Sequence, residues 1–395
     1  MIESIIIRKG FFMNILLYSW ADLNDAILKK NLIELSHNVT VFNKRCKHYT
    51  KDMDLAWEMI NIIHEKRIEA IISFNYLPII SMVCSTTSIP YYSWVFDSPH
   101  YTLCFKGVND PVNHIGCFDK NLTEYYNQKG IKTIFYAPLG VDTGLFQFSN
   151  KNSCDVSFVG KMYTGEFYYY EKLRMDSTLK SQLDSITDSQ KFCYTEDRVS
   201  RFFKIDNIEE IIKKELYKAD LQLDEDYDSD YFHIFRTSVI DKKVTVDERR
   251  ELVEMLSDLP CDFRLYTNSD VSSNPRIRKC SKGYADYYTK MPSVFRNSKI
   301  NINNTLRSIR SGIPLRVLDI LACGGFVLSD YQPGIAEEFE EGKEIAFYYS
   351  LEDCKEKVEY YLAHDEERIA IALAGHRKVM ENFSFKKRLG IVMQS

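Results

Sequence analysis

Cations, a helix start and an isolated carboxylate come together in the sequence between residues 307 and 330. Pro314 suits the first turn of a helix, because its missing N–H costs nothing there. Ser311 and Gly312 let the backbone approach a ligand closely, and free N–H groups at a helix start attract an anion such as a diphosphate. Three arginines flank this point: Arg307, Arg310 and Arg316.

Asp319 is a lone carboxylate on the otherwise apolar helix predicted over 314–323. A carboxylate in that position needs hydrogen-bond donors, and a ribose diol supplies two. The alternative is an ordinary αβ unit in which Arg316 and Asp319 form a surface pair three residues apart. Spacing alone leaves both interpretations open.

A second group of candidates follows the aromatic strand predicted over 90–96. Asp97 stands at its carboxyl end, Pro99 turns the chain, and His100 comes next. A carboxylate or imidazole facing a cleft is suited to take a proton from a hydroxyl. We take Asp97 as the first candidate for a general base and His100 as the second. The alternative is that Asp97 caps the next turn and His100 packs there.

Strands alternate with helix-like segments along most of the chain, which is typical of βαβ units and a parallel sheet. The predicted strands cover 14–18, 38–42, 69–74, 90–96, 115–118, 133–136, 155–160, 263–266, 300–303 and 325–329. The predicted helices include 22–36, 52–65, 314–323, 351–363 and 365–382. This pattern predicts an α/β protein whose ligands bind at the carboxyl ends of the strands.

Polar residues around 140–153 mark a boundary between two α/β halves. We predict an N-terminal Rossmann-like domain over 1–150 and a C-terminal one over 151–380, facing each other across a central cleft. A charged, helical insertion is predicted at about 165–250. The tail 381–395 is expected to cross back to the first domain.

Composition excludes several classes of protein. The 395 residues carry a net charge of −5, which argues against a nucleic-acid binder. The apolar run at the N-terminus is too short for a signal peptide, and Met13 looks like a more natural start, so we treat 1–12 as a possible extension.

Ten scattered cysteines suggest reduced thiols in a cytoplasm and no zinc site. Asp228-Ser229-Asp230 follows an acidic run that we interpret as solvated, not as a metal site.

Several motifs, in this order along the chain, resemble those of GT-B glycosyltransferases, most of all the bacterial branch related to the CgeB-like spore-maturation proteins. They are PLGVDT at 138–143, VSFVGK at 156–161, SGIPLRVLD at 311–319, ACGGFVL at 322–328 and FEEGKE at 339–344. The resemblance covers roughly 14–160 and 260–390. It implies a GT-B fold and a nucleoside-diphosphate sugar as donor.

The resemblance also implies roles for individual residues. Asp319 matches the acid that binds the donor ribose, and Ser311 and Gly312 match the loop whose amides meet the distal phosphate. Gly283 and Tyr284 match the loop that holds the nucleobase. Many retaining members carry two glutamates eight positions apart, whereas this chain has Ser311 and Asp319, which leaves the stereochemistry open.

The diphosphate leaving group needs positive charge in a metal-independent site. Lys161 matches the family's basic residue after the first strand of the second domain, and Arg310 and Arg316 are the further candidates.

We therefore expect a cytoplasmic glycosyltransferase that needs no metal or other cofactor. It would move a sugar from a nucleoside-diphosphate sugar, with UDP favoured, to a hydroxyl of a surface glycan or of a protein such as flagellin. The alternatives are a nucleotide-sugar epimerase on the same fold and an inactive nucleotide-sugar-binding protein. The oligomeric state stays open.

Overall fold

A computed structural model describes residues 12–19, 25–144, 153–164, 169–173, 175–202 and 231–394. Asp228-Ser229-Asp230, considered above for a metal, lies outside these ranges. Among the described helices, none is long and apolar enough to cross a membrane.

The first domain is a six-stranded parallel sheet with the strand order β2-β1-β3-β4-β5-β6. Its strands are β1 (Asn14–Tyr18), β2 (Asn38–Phe42), β3 (Ala70–Phe74), β4 (Tyr91–Val95), β5 (Asn113–Cys117) and β6 (Ile134–Tyr136). Its helices are α1 (Asp25–Glu34), α2 (Met53–Lys66), α3 (Pro78–Thr87) and α4 (Lys120–Gln128). Every residue of β3 is buried, as expected for an apolar strand covered on both faces.

The second domain is a five-stranded parallel sheet with the order β11-β10-β9-β7-β8. Its strands are β7 (Cys154–Val159), β8 (Phe263–Tyr266), β9 (Ser298–Asn303), β10 (Val327–Asp330) and β11 (Ala346–Tyr348). The two sheets confirm the predicted α/β architecture. β11 was not predicted from the sequence, because it has only three residues.

The described part of the connection between β7 and β8 is mainly helical. Its helices are α5 (Tyr169–Lys172), α6 (Ser177–Gln190), α7 (Arg198–Phe202), α8 (Tyr231–Phe235) and α9 (Asp241–Asp258). A π-helical turn over Arg236–Ile240 joins α8 to α9. The ring of His233 stacks on Tyr125 of α4, with 4.4 Å between the centroids, so the inserted helices contact the first domain.

The remaining helices follow β8 and complete the second domain before the chain returns to the first. They are α10 (Pro275–Cys280), α11 (Lys290–Asn297), α12 (Leu315–Ala322), α13 (Pro333–Glu338), α14 (Leu351–Ala363), α15 (Asp365–Asn382) and α16 (Phe385–Met393).

The end of the chain packs on the first domain. Val141 exchanges backbone hydrogen bonds of 2.9 Å with Phe383 and Phe385. The Phe385 ring then lies 5.1 Å from the Trp94 ring of β4, centroid to centroid. The last helix therefore belongs spatially to the first sheet, and the chain crosses between the domains twice.

Candidate active site

The carboxyl ends of the two sheets face each other across a cleft of about 860 Å³. Polar and charged side chains from both domains line it, including Asn75, Asp97, His100, Lys161, Lys242, Arg249 and Arg316. The strand ends of parallel α/β sheets are where such folds bind ligands. Four of the ten predicted site residues lie in this lining: Asp97, His100, Lys161 and Arg316.

Asp97 is held at the cleft by Asn75, which follows β3. The Asn75 Nδ2 donates to Asp97 Oδ2 at 2.7 Å, and Asn75 Oδ1 accepts the backbone N–H groups of Phe96 at 3.0 Å and Asp97 at 3.3 Å. Asn75 has a φ of +57°, a left-handed conformation that asparagine tolerates better than most residues. The Asp97 carboxylate is thus both exposed to the cleft and oriented.

His100 is engaged within the first domain. Its Nε2 lies 3.1 Å from both the backbone N and O of Tyr76 and 2.6 Å from Thr102 Oγ1. Burial lowers the pKa of this imidazole, which favours its neutral form. Because Nε2 is already committed, Asp97 is the better placed of the two predicted bases.

Four cations give the second-domain wall of the cleft its charge: Lys161, Lys242, Arg249 and Arg316. In the described part of the chain, none of the four has a carboxylate oxygen within 4 Å of its cationic nitrogens. Burial and the nearby Lys161 charge both lower the pKa of Lys242. Cations that are crowded and unneutralised in this way form a site for an anion.

Arg249 is the most enclosed of these cations and is largely buried. Its Nε donates to Asn304 Oδ1 at 3.2 Å, and its two terminal nitrogens donate to the carbonyls of Lys161 and Asn304. The guanidinium also lies 4.9 Å from the centroid of the Tyr163 ring. Arg249 therefore ties the loop after β7 to the loop after β9 while keeping its charge uncompensated.

Lys242 and Arg249 were not predicted from the sequence, where they belong to the charged insertion at about 165–250. They are seven positions apart on α9, nearly two full turns, so they project from the same side of the helix. That spacing was the available signal, but the sequence alone does not say which side faces the cleft.

Arg310, Ser311 and Gly312 lie at a contact between the two domains. The Arg310 guanidinium makes two hydrogen bonds to the buried Asp241 carboxylate, at 2.9 and 2.8 Å. The Ser311 hydroxyl donates to Asp119 at 2.8 Å, and a Cβ at Gly312 would lie 2.6 Å from the Phe118 ring. In this arrangement of the two domains, Arg310 and Ser311 are hydrogen-bonded to protein carboxylates, and Gly312 is packed against Phe118.

Arg307 is also paired within the protein. Its Nε lies 3.1 and 3.0 Å from the two carboxylate oxygens of the buried Glu248. Of the three arginines that flank Pro314 in the sequence, Arg316 is the one that lines the cleft, and its guanidinium also contacts the Met291 sulfur and lies 5.3 Å from the centroid of the Phe295 ring.

Asp319 is buried one helical turn after Arg316, behind the cleft wall. The Tyr287 hydroxyl donates to its Oδ1 at 3.1 Å. Burial raises the pKa of Asp319 to about 7, although the Arg316 charge and the Tyr287 hydrogen bond oppose this shift. The carboxylate does not point into bulk water.

Gly283 and Tyr284 lie beside the carboxyl end of β8. The Gly283 carbonyl accepts the Thr267 N–H at 2.9 Å, and Gly283 has a φ of +72°. The Tyr284 side chain is exposed. This loop is outside the described cleft lining but next to a strand end of the same sheet.

Comparisons with known proteins agree with this architecture. Residues 248–394 match the model of the glycosyl transferase-like family. The spore protein CgeB of Bacillus subtilis (strain 168) is 22% identical over 297 residues, which cover 75% of this chain and 72% of CgeB.

Solved structures match nearly the whole chain. A glycosyltransferase from Rickettsia africae has 12% sequence identity and a TM-score of 0.54, with 98% of this chain and 99% of that one covered. Anabaena HepE in complex with UDP and glucose has 11% identity and a TM-score of 0.54, with 97% and 98% covered. The chain has the GT-B fold, and its residues 248–394 carry a glycosyl transferase-like domain.

The cation wall generates a binding prediction that does not depend on the nucleotide. Hydrogen bonds to charged groups contribute about 1.5–3 kcal/mol. We therefore expect Lys242→Met to raise the dissociation constant for inorganic pyrophosphate by about tenfold or more, measured by isothermal titration calorimetry. Arg250→Met is the control, because Arg250 is on the same helix but pairs with Asp247 at 2.9 Å. Equal weakening in both variants would show a general charge effect instead of a site.

The buried Asp319 generates a pH prediction. Its folded pKa of about 7 lies above the ordinary value of 3.8, so the folded state keeps a proton that the unfolded state has lost. The stability contribution of this group therefore falls as pH rises between about pH 4 and 7, by up to about 1.4 kcal/mol per unit. Asp319→Asn should remove this slope from the free energy of unfolding, measured by urea titration. The exposed Asp188→Asn should retain it, and parallel pH profiles for wild type and Asp319→Asn would contradict the assignment.

Proposed function

We propose that the chain is a glycosyltransferase that uses a nucleoside-diphosphate sugar, with UDP as the favoured nucleotide, and binds the diphosphate against the four cleft cations. The observation that carries the proposal is the wall formed by Lys161, Lys242, Arg249 and Arg316, which lies across the cleft from Asp97. Transfer from such a donor leaves a diphosphate, whose negative charge grows in the transition state. Preorganised cations stabilise that charge more than they stabilise the substrate.

The start of α12 adds a second source of positive potential. Pro314 is its N-cap, makes no side-chain capping hydrogen bond, and lines the cleft together with Arg316. The first N–H groups of a helix have no partner within the helix and favour a nearby anion. We place the distal phosphate here, within reach of Arg316. Because protein cations supply the charge, we propose transfer without a metal ion.

The nucleoside part of the proposal rests on the family resemblance. Asp319 would accept hydrogen bonds from the ribose, and the loop at Gly283 and Tyr284 would hold the base. UDP is favoured because Anabaena HepE, a structural neighbour, was solved with UDP and glucose and with UDP-glucose. Asp319 lies one turn beyond Arg316 but is buried and hydrogen-bonded to Tyr287, so the ribose contact is proposed from the resemblance alone.

Asp97 would act as the general base. Its carboxylate is exposed to the cleft and is oriented by Asn75. In an inverting transfer, Asp97 takes the proton of the acceptor hydroxyl as that oxygen attacks the anomeric carbon and the bond to the diphosphate breaks. His100 would support this segment through its hydrogen bonds to Tyr76 and Thr102.

The acceptor would bind along the first domain. Aromatic side chains line that side of the cleft, among them Tyr18, Tyr49, Phe96 and Tyr101. Aromatic faces pack well on the apolar side of a sugar ring, which supports a glycan acceptor, with a protein hydroxyl such as that of flagellin as the other substrate class. Excluding water from the closed cleft would protect the donor from hydrolysis.

Product analysis with UDP-sugars and candidate acceptors tests the proposal. General-base catalysis contributes about 10²–10⁴-fold, so we expect Asp97→Asn to lower kcat by at least about 100-fold while donor binding persists. The exposed Asp54→Asn, in the same domain, should retain full activity. Unchanged turnover in Asp97→Asn would remove the base assignment. A wild-type protein that only interconverts UDP-sugars would be an epimerase, and one that binds UDP without transfer or hydrolysis would be a binding protein.

A further inference from the structure

The loop over 305–314, which links β9 to α12, is held by the first domain although it belongs to the second. Thr305, Leu306, Ile309 and Pro314 of this loop line the cleft. The residues between Ile309 and Ile313 instead contact the segment of the first domain that joins β5 to α4. The position of the α12 start therefore depends on contacts made across the domain boundary.

Asp119 makes the central contact. Its Oδ2 accepts the Arg310 N–H at 2.6 Å, and its Oδ1 accepts the Ser311 hydroxyl at 2.8 Å. The Ser311 N–H lies 3.2 and 3.3 Å from the two carboxylate oxygens. In return, the Asn121 N–H of α4 donates to Ser311 Oγ at 2.9 Å. Side-chain and backbone hydrogen bonds thus link residues 119–121 of the first domain to residues 310 and 311 of the second.

The same carboxylate also caps α4. Asp119 Oδ1 accepts the N–H groups of Asn121 at 3.0 Å and Leu122 at 3.3 Å. Asp119 is almost fully buried, so its charge depends on these donors for the solvation that water would otherwise provide. Within the described residues, no cation lies within 4 Å of it, and donors from both domains are needed to satisfy it.

Further contacts hold the same loop against the first domain and the inserted helices. Ser98 and Ser308 exchange hydroxyl-to-carbonyl hydrogen bonds of 3.1 Å in both directions. The Arg310 guanidinium is paired with Asp241 at the start of α9. The loop is therefore fixed by Asp119 and Ser98 of the first domain and by Asp241 of α9. Without the first domain, it would lose two of these three contacts.

We infer that Asp119 is a positioning residue for the donor: it sets the 305–314 loop, and through it the start of α12, only while the two domains are in contact. The inference rests on the proposed function, since it assigns the α12 start to the diphosphate. Donor binding and the domain arrangement are then thermodynamically linked. A change that weakens the Asp119 contact lowers the affinity for the donor. Donor binding in turn stabilises the arrangement in which the two domains are in contact.

A merely structural cap would behave differently, and the chain provides the control. Asp52 caps α2 of the same domain, where it accepts the Leu55 N–H at 3.2 Å and the Lys47 N–H at 2.8 Å. Both of these donors lie within the first domain. Like Asp119, it is buried. Asp52→Asn therefore removes a buried capping carboxylate without touching the domain contact.

The experiment compares UDP binding, by isothermal titration calorimetry, with the melting temperature of each full-length variant. Both Asp119→Asn and Asp52→Asn should melt earlier than wild type. Only Asp119→Asn should raise the dissociation constant for UDP, by about tenfold or more, and donor KM should rise with it while kcat changes by less than about threefold. Small-angle scattering should show a larger radius of gyration for Asp119→Asn, restored by saturating UDP.

Ser311→Ala keeps the test decisive if Asp119→Asn does not fold, because it removes two hydrogen bonds of the contact and leaves the charge in place. A several-fold weaker affinity for UDP is expected there as well. Unchanged UDP affinity in the folded Asp119 or Ser311 variants, or equal weakening in Asp52→Asn, overturns the inference while the proposed function stands. A wild-type protein that binds no nucleoside diphosphate overturns the proposed function itself.

Discussion

The cleft depends on one buried cation that has no carboxylate partner. Burying a guanidinium is costly unless its N–H groups are hydrogen-bonded, and Arg249 meets this requirement with the carbonyls of Lys161 and Asn304 and the side chain of Asn304. These acceptors are neutral, so the positive charge persists at the strand ends. A charge that no carboxylate neutralises is available to the anionic substrate that we propose.

The two-domain fold places this charge across the cleft from the candidate base, Asp97. The second sheet presents Lys161 after β7 and Asn304 after β9, while α9 contributes Lys242 and Arg249 from the inserted region. The first sheet presents the Asn75–Asp97 pair from the ends of β3 and β4. In our proposal the leaving group and the acceptor bind on opposite walls, and the Asp119 contact holds the two walls in position.

The sequence predicted the fold well, because apolar strands such as Ala70–Phe74 and the helix Asp365–Asn382 have strong local signals. Four of its candidate residues line the cleft: Asp97, His100 and Arg316 were chosen because they stand near a strand end or a helix start, and Lys161 because of the family resemblance. It did not reveal that Arg310 pairs with Asp241, or that Arg249 faces the cleft, because these are long-range partnerships formed by the inserted helices. Local pattern shows that a residue is charged, but only tertiary structure shows which charges are already neutralised.

The most direct measurement is the affinity for UDP relative to uridine, in wild type and in Arg249→Met, with Arg250→Met as the matched control. Wild type and Arg250→Met should bind UDP at least about 100-fold more tightly than uridine, since the diphosphate adds several charge-assisted contacts. In Arg249→Met this preference should collapse toward the uridine affinity. Equal affinities for UDP and uridine in the wild-type protein, or an undiminished preference in Arg249→Met, would contradict a diphosphate site at this wall.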